Sequence, residues 1–213
     1  MSPRVAEKRR KEILMAYAAW KPIVAFVSRL SKHLRYGQSS LLDVGTGEGV
    51  FGLEVAKEFG VSKTTLVDIQ GALLVELAAN TVFEMADVCD ENFVPKFQNQ
   101  FSVVTCFKAL HEFRNPVQAA LNLVRILPER GVTFIMDHAE EGWEHLRINR
   151  FQNKGSLLHY ERDLDRLTLS RSRLTTNTGI RDFWEQEIFP GLPGEHYLTF
   201  HGHMYSMIYV ARQ

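Results

Sequence analysis

At 213 residues, 45% apolar and 23% charged, the chain has the composition of one globular domain long enough to bury a sizeable core. Its 25 basic and 25 acidic residues cancel, so bulk charge argues neither for nucleic acid nor for a basic partner.

Residues 4–35 read as helix, broken by Pro22. Ile13, Leu14, Tyr17 and Trp20 lie in the first half. Ile23, Phe26, Val27, Leu30 and Leu34 form an apolar stripe in the second, and Gly37 closes the segment. The run Lys8-Arg9-Arg10-Lys11 is read as a solvated helix face. It leaves no apolar core for a signal peptide, and runs such as 22–27 are too short to span a bilayer. Residues 1–37 are thus expected to be a helical N-terminal cap on a domain at 38–213.

The next segment is the most informative. An apolar strand enters Leu41-Leu42-Asp43-Val44-Gly45-Thr46-Gly47-Glu48-Gly49, and an amphipathic helix follows, with Val50, Leu53 and Phe59 on its inner side. Glycines permit a tight turn and close approach of a ligand to the main chain, and the helix N-terminus offers unpaired N–H groups. Counted from Gly45, the dinucleotide pattern G-x-G-x-x-G fails at Val50; counted from Gly47 it is met by Gly47, Gly49 and Gly52. Asp43 would repel a pyrophosphate but suits a ligand that carries an ammonium group.

Strand and helix then alternate. Thr64–Val67 runs into Asp68, Thr81–Met85 into Ala86-Asp87-Val88, and Phe101–Phe107 into Lys108-Ala109-Leu110-His111-Glu112-Phe113. Asn115 and Pro116 make a helix start. Val117, Ala120, Leu121, Val124 and Leu127 line one face of that helix, and strand Val132–Met136 follows Gly131. Buried strands separated by helices imply a parallel sheet covered on both faces. Residues 139–189 are charge-rich. Leu157, Leu158, Leu164, Leu167 and Leu169 suggest helices, and Arg147, Arg150, Arg162, Arg166, Arg171, Arg173 and Arg181 suggest a solvated face or an anion-holding set. Pro190–Gly194 is a loop, and Tyr197–His201 and Met204–Ala211 read as a hairpin around Gly202. Cys89 and Cys106 form no C-x-x-C pair, and two reduced thiols fit a cytoplasmic protein.

These strand-end signals, in this order, resemble the class I S-adenosylmethionine-dependent methyltransferases. The post-strand segment 108–113 looks like that of the small-molecule branch typified by ubiquinone/menaquinone methyltransferases. The resemblance covers about residues 38–138, with a tail at 195–212. It implies a Rossmann-like, doubly wound, mostly parallel seven-stranded sheet with a C-terminal antiparallel hairpin and a helical insertion at about 139–189. It also implies S-adenosyl-L-methionine as cofactor. Gly45, Thr46, Gly47 and Gly49 would wrap its methionine part, with Asp43 nearby. Asp68 would accept from the ribose hydroxyls, Ile69 pack on the adenine, Asp87 beside Val88 meet the adenine amino group, and Phe107 and Lys108 close the pocket.

Methyl transfer from a sulfonium is an in-line displacement, so the protein chiefly positions the reactants and excludes water. A base is needed only if the nucleophile loses a proton. His111, just after the fourth strand, and His138, at the end of the fifth, are the catalytic candidates. Glu112, Tyr17 and Trp20 are candidates for the substrate pocket, the last two equally for core. His138, His201 and His203 make a nominal metal set, but turn histidines need no ion, so no metal is expected. No N-P-P-Y or D-P-P-Y follows the fourth strand, which disfavours planar-amine acceptors, and two cysteines disfavour arsenite methylation. The expected acceptor is a small molecule, with nucleic acid disfavoured, no membrane span and a homodimer left open. The rival readings are an RNA methyltransferase, a non-catalytic subunit that binds the cofactor, and a nicotinamide-dependent enzyme.

Overall fold

The architecture is built on seven short strands joined in one sheet. The computed structural model describes residues 3–32, 39–71, 73–141 and 173–212. In chain order these form α1 (Pro3–Lys32), β1 (Ser40–Val44), α2 (Val50–Phe59), β2 (Lys63–Asp68), β3 (Thr81–Met85), α3 (Phe93–Phe97), β4 (Val103–Phe107), α4 (Pro116–Arg125), β5 (Val132–His138), α5 (Asn177–Asp182), β6 (Gly194–His201) and β7 (Met204–Ala211). The sheet order is β3-β2-β1-β4-β5-β7-β6. The first five strands are parallel, while β7 runs antiparallel between β5 and β6. The Rossmann-like sheet and its terminal hairpin are thus as expected.

Alternation along the strands sorts the core into two layers. Leu41, Val103, Val132 and Phe134 face α1 and α2, where they meet Tyr17, Val24, Val27, Val55 and Phe59. Leu42, Val44, Val104, Cys106 and Ile135 face the other helices, where Leu123, Phe183 and Trp184 are buried. Each large apolar side chain buried this way contributes about 1.5–3 kcal/mol. The Asn115 side chain caps α4 by accepting the Gln118 N–H at 3.1 Å. No helix among the described residues is long and apolar enough to cross a membrane.

Four local expectations need revision. First, α1 continues through Pro22. Proline removes one donor and leaves the Ala18 carbonyl without its helical partner, but both residues are exposed, so water can satisfy that carbonyl. Second, the buried side of α1 runs through Val24, Val27 and Ser28, whereas Phe26 is exposed. Third, residues 69–80 carry no helix among the described positions. Instead Leu74 donates its N–H to Glu48 O at 2.9 Å, so this segment is bonded to the glycine loop. Fourth, residues 173–189 supply core as well as a solvated face: Leu174, Ile180, Phe183, Trp184 and Ile188 are buried, whereas Arg181 is exposed. Of the arginines in that stretch, Arg181 pairs with Glu185 at 3.3 Å. The leucines at 157–169, Arg147, Arg150, Arg162, Arg166 and Arg171, the Arg173 side chain, and Leu34 and Gly37 lie outside the described residues.

Candidate active site

The carboxyl ends of β1, β2, β3 and β4 open on one cleft of about 640 Å³, the edge at which open α/β sheets bind ligands. Gly45, Thr46, Gly47, Gly49, Asp68, Ile69, Asp87, Val88, Phe107, Lys108 and Glu112 all line it. A second hollow of about 740 Å³, between α1, α2 and residues 74–81, carries none of these acids.

The loop after β1 is held from behind. The N–H groups of Gly45 and Thr46 donate to Val67 O at 2.9 and 3.1 Å. Gly45 has φ 70°, and a Cβ there would lie 2.5 Å from the Ala109 Cβ. Gly47 has φ 54° and meets nothing within 4 Å of the same test point, so its backbone faces open cleft. Gly49 caps α2 in the left-handed region without a side-chain bond, which leaves the first N–H groups of α2 unpartnered by a cap.

Asp43 stands behind the loop and does not line the cleft. Strand alternation turns it with Leu41 toward α2, where it is 3% exposed and accepts the Thr105 hydroxyl at 2.7 Å. Gly52 lets α2 pass directly over it, since any Cβ at Gly52 would collide with the Asp43 carboxyl. The match Gly47-x-Gly49-x-x-Gly52 therefore reflects helix–strand packing. Burial pushes the Asp43 carboxyl up to about 6, against the pull of the hydroxyl bonds.

Asp68 closes the floor of the cleft. Its Oδ2 accepts Gly47 N–H at 2.8 Å and its Oδ1 accepts Gln70 N–H at 3.0 Å. Ile69, 61% exposed, stands at the rim. Asp87 accepts Cys89 N–H at 2.8 Å and pairs with Arg114 Nε at 3.2 Å. Phe107 packs against Phe51, with centroids 4.6 Å apart. Lys108 takes φ 53°, a left-handed conformation that turns the chain out of β4, and donates its N–H to Met136 O at 2.8 Å.

Helix α1 covers the cleft with Arg9, Glu12, Ile13 and Ala16 rather than with Tyr17 and Trp20. Arg9 Nε bonds Glu48 Oε1 at 2.9 Å. Tyr17 is 6% exposed, meets Phe51 edge-on at 5.2 Å and donates its hydroxyl to Glu54 O at 3.2 Å. Burial and the nearby Glu58 and Glu54 push its phenol up to about 12. Trp20 packs against the same core layer. Both pack into this core layer, and neither lines the two hollows described among these residues.

Beside the cleft, His111 and His138 converge on Asp137. His111 Nδ1 lies 2.7 Å from Asp137 Oδ1, and the His111 backbone N–H donates to Oδ2 at 3.0 Å. The His138 N–H donates to Oδ1 at 2.8 Å, and the two rings are 5.4 Å apart. Although burial alone would raise it, Asp137 is held below the usual carboxylate range, chiefly by His111 and then by His138. Asp137 is the member that sequence reasoning missed; the signal was its place at the end of β5, next to the chain that leaves β4. His201 bonds the Ser206 hydroxyl at 3.0 Å, and neither it nor His203 joins this group.

A family model described as a methyltransferase domain matches residues 8–181. No curated protein matches the sequence. Among solved structures, the plantazolicin methyltransferase BamL, in complex with a triazolic desmethylPZN analog and SAH, aligns at TM-score 0.71 and 13% identity over 99% of this chain and 91% of its own. The plantazolicin methyltransferase BpumL, with a pentazolic desmethylPZN analog and SAH, aligns at 0.70 and 14% over 99% and 91%. The CurJ carbon methyltransferase aligns at 0.60 and 11% over 96% and 59%. At these identities the likeness carries the fold.

Proposed function

The chain belongs to the methyltransferase-domain family, and we propose that it transfers the methyl group of S-adenosylmethionine to a small-molecule acceptor. The observation that carries this reading is the convergence of Gly45–Gly49, Asp68 and Asp87 on one cleft at the strand ends. Solved relatives that hold SAH in the same fold support it. So do their other ligands, which are desmethylPZN analogs.

The cofactor, when bound, supplies a methyl carbon already activated by a positively charged sulfur. The open backbone of Gly47 receives its methionine part, with Asp43 contributing negative charge from behind the loop. Asp68 keeps one lone-pair direction on each oxygen for the ribose hydroxyls. Ile69 and Val88 flank the adenine, and Asp87 accepts from its amino group. Phe107 and Lys108 bound the site toward β4. Glu112 and α1 limit the acceptor end, where His111 and His138 act on the acceptor. Residues 108–113 carry the likeness to the ubiquinone/menaquinone enzymes, and the acceptor atom is an O, N or C of a small molecule.

Calorimetric titration of the full chain with S-adenosylmethionine, SAH and NAD(H) tests the reading. Micromolar binding of the first two and none of the last is expected. Binding of NAD(H) alone would overturn it. Cofactor binding without turnover on any acceptor would assign a non-catalytic role instead.

A further inference from the structure

Two imidazoles and one carboxylate meet where β4 and β5 end. One ligand atom each from His111, Asp137 and His138 lies within 4.8 Å of the other two. The Phe107–Met136 register brings the two strand ends level, so the 3-10 turn Leu110–Glu112 sets His111 over Asp137. Asp137 is 1% exposed, whereas the histidines are half-buried. The group is closed on the carboxylate side and reachable on the imidazole side.

We propose that His111, Asp137 and His138 form a binding site for a divalent transition-metal ion of the zinc, cobalt or iron(II) class. Imidazole-rich sets select these ions, whereas magnesium and calcium take oxygen-rich ones. Three protein ligands leave coordination positions open, as in sites that act on a bound molecule.

The surroundings are those a metal ligand set requires. Backbone N–H groups of His111 and His138 fix both Asp137 oxygens, at 3.0 and 2.8 Å. His111 Nε2 lies 3.6 Å from Glu112 Oε1. When an ion takes Nδ1, the single proton of the neutral imidazole sits on Nε2, and Glu112 is the carboxylate nearest to that N–H. Histidine ligands are commonly held by a carboxylate on their other nitrogen in this way. One anionic and two neutral ligands leave a divalent ion with net positive charge. Glu112 also lines the cleft, so that charge stands beside the acceptor end. If the methyl-transfer reading holds, the acceptor class is one that offers an ionisable oxygen to the ion.

Cobalt(II), added to chelator-stripped full-length protein and followed by visible absorption, tests the site, with zinc titrated by calorimetry. One equivalent is expected to bind at micromolar concentration or tighter, with ligand-field bands of a nitrogen–oxygen set. His138→Ala and His111→Gln should each weaken binding at least tenfold, and Glu112→Gln about tenfold. If His111→Gln unfolds by circular dichroism, His138→Ala and Glu112→Gln carry the test. Absence of a stoichiometric site, or binding unchanged in the folded histidine variants, overturns the proposal and leaves a His111–Asp137 hydrogen-bonded pair. S-adenosylmethionine binding measured on the same samples separates the two readings. In the wild-type protein, metal binding without S-adenosylmethionine binding sinks the methyl-transfer reading alone, and S-adenosylmethionine binding without a stoichiometric metal site sinks the metal proposal alone.

Discussion

Gly47 donates its backbone N–H to Asp68 Oδ2 at 2.8 Å, so the loop that leaves β1 and the acid that ends β2 hold each other in place. The residue assigned to the ribose therefore also shapes the loop assigned to the methionine part. A single substitution at Asp68 should therefore disturb both the loop and the end of β2.

Asp68→Ala should weaken S-adenosylmethionine binding by about 1.5–3 kcal/mol, the range for hydrogen bonds to a charged partner. Asp68→Asn, which keeps one carbonyl acceptor, should lose less. Calorimetry on the folded variants reads both, and unchanged affinity in Asp68→Ala would remove it from the cofactor site.

Gly45 and Gly47 share positive φ but differ in surroundings. In Gly45→Ala the new methyl meets Ala109 at 2.5 Å, so strain adds to overpacking and about 2–4 kcal/mol of stability should be lost. In Gly47→Ala only the left-handed strain of about 1–2 kcal/mol remains, since the site is open. The second variant should nonetheless lose cofactor affinity, because the methyl points into the cleft. Urea denaturation beside ligand titration checks the contrast; equal destabilisation would contradict the packing.

Asp43 sets a pH dependence of stability. Its carboxyl lies at about 6 in the fold against 3.8 ordinarily, so between these values the folded state binds more protons than the unfolded one. Stability contributed by this group falls as pH rises from about 4 to about 6 and is level above. A rise of about two units corresponds to at most ~3 kcal/mol. Asp43→Asn keeps an acceptor for Thr105 and should be more stable than wild type above pH 6, with the advantage vanishing below about pH 4. Thermal unfolding of both proteins across that range measures it, and a pH-independent difference would refute the burial argument.

Asp87 is paired with the exposed Arg114, and such a pair contributes only about 0–1 kcal/mol to folding. Asp87→Asn should therefore leave stability nearly unchanged while it weakens S-adenosylmethionine binding. The loss should shrink for an analog with hypoxanthine in place of adenine, which lacks the amino group. An equal loss for both ligands would detach Asp87 from the base.

Much of this was legible because each signal is local. Asp43 to Gly49, Asp68, Asp87 and Phe107 to Phe113 each end a strand. The four strands run parallel in the order β3-β2-β1-β4, so their carboxyl ends converge on one edge. The His111–Asp137 contact spans 26 positions and depends on the β4–β5 register, which no local pattern encodes. The apolar stripe of α1 marks an inner face but not what lies beneath it, so Tyr17 and Trp20 could not be told from Ile13 and Ala16. Trp184 and its neighbours sit beside charged residues, and their burial emerges only with the sheet that receives them.

Helix α1 is fastened unequally along its length. Tyr17, Val24 and Val27 are sunk in the core, whereas the turns that roof the cleft are tied to the glycine loop by the half-exposed Arg9–Glu48 pair. The first three or four turns of α1 are therefore the least costly part of the helix to displace, since the sheet and its packing do not depend on them. Amide hydrogens of residues 5–12 should accordingly exchange well before those of 17–27.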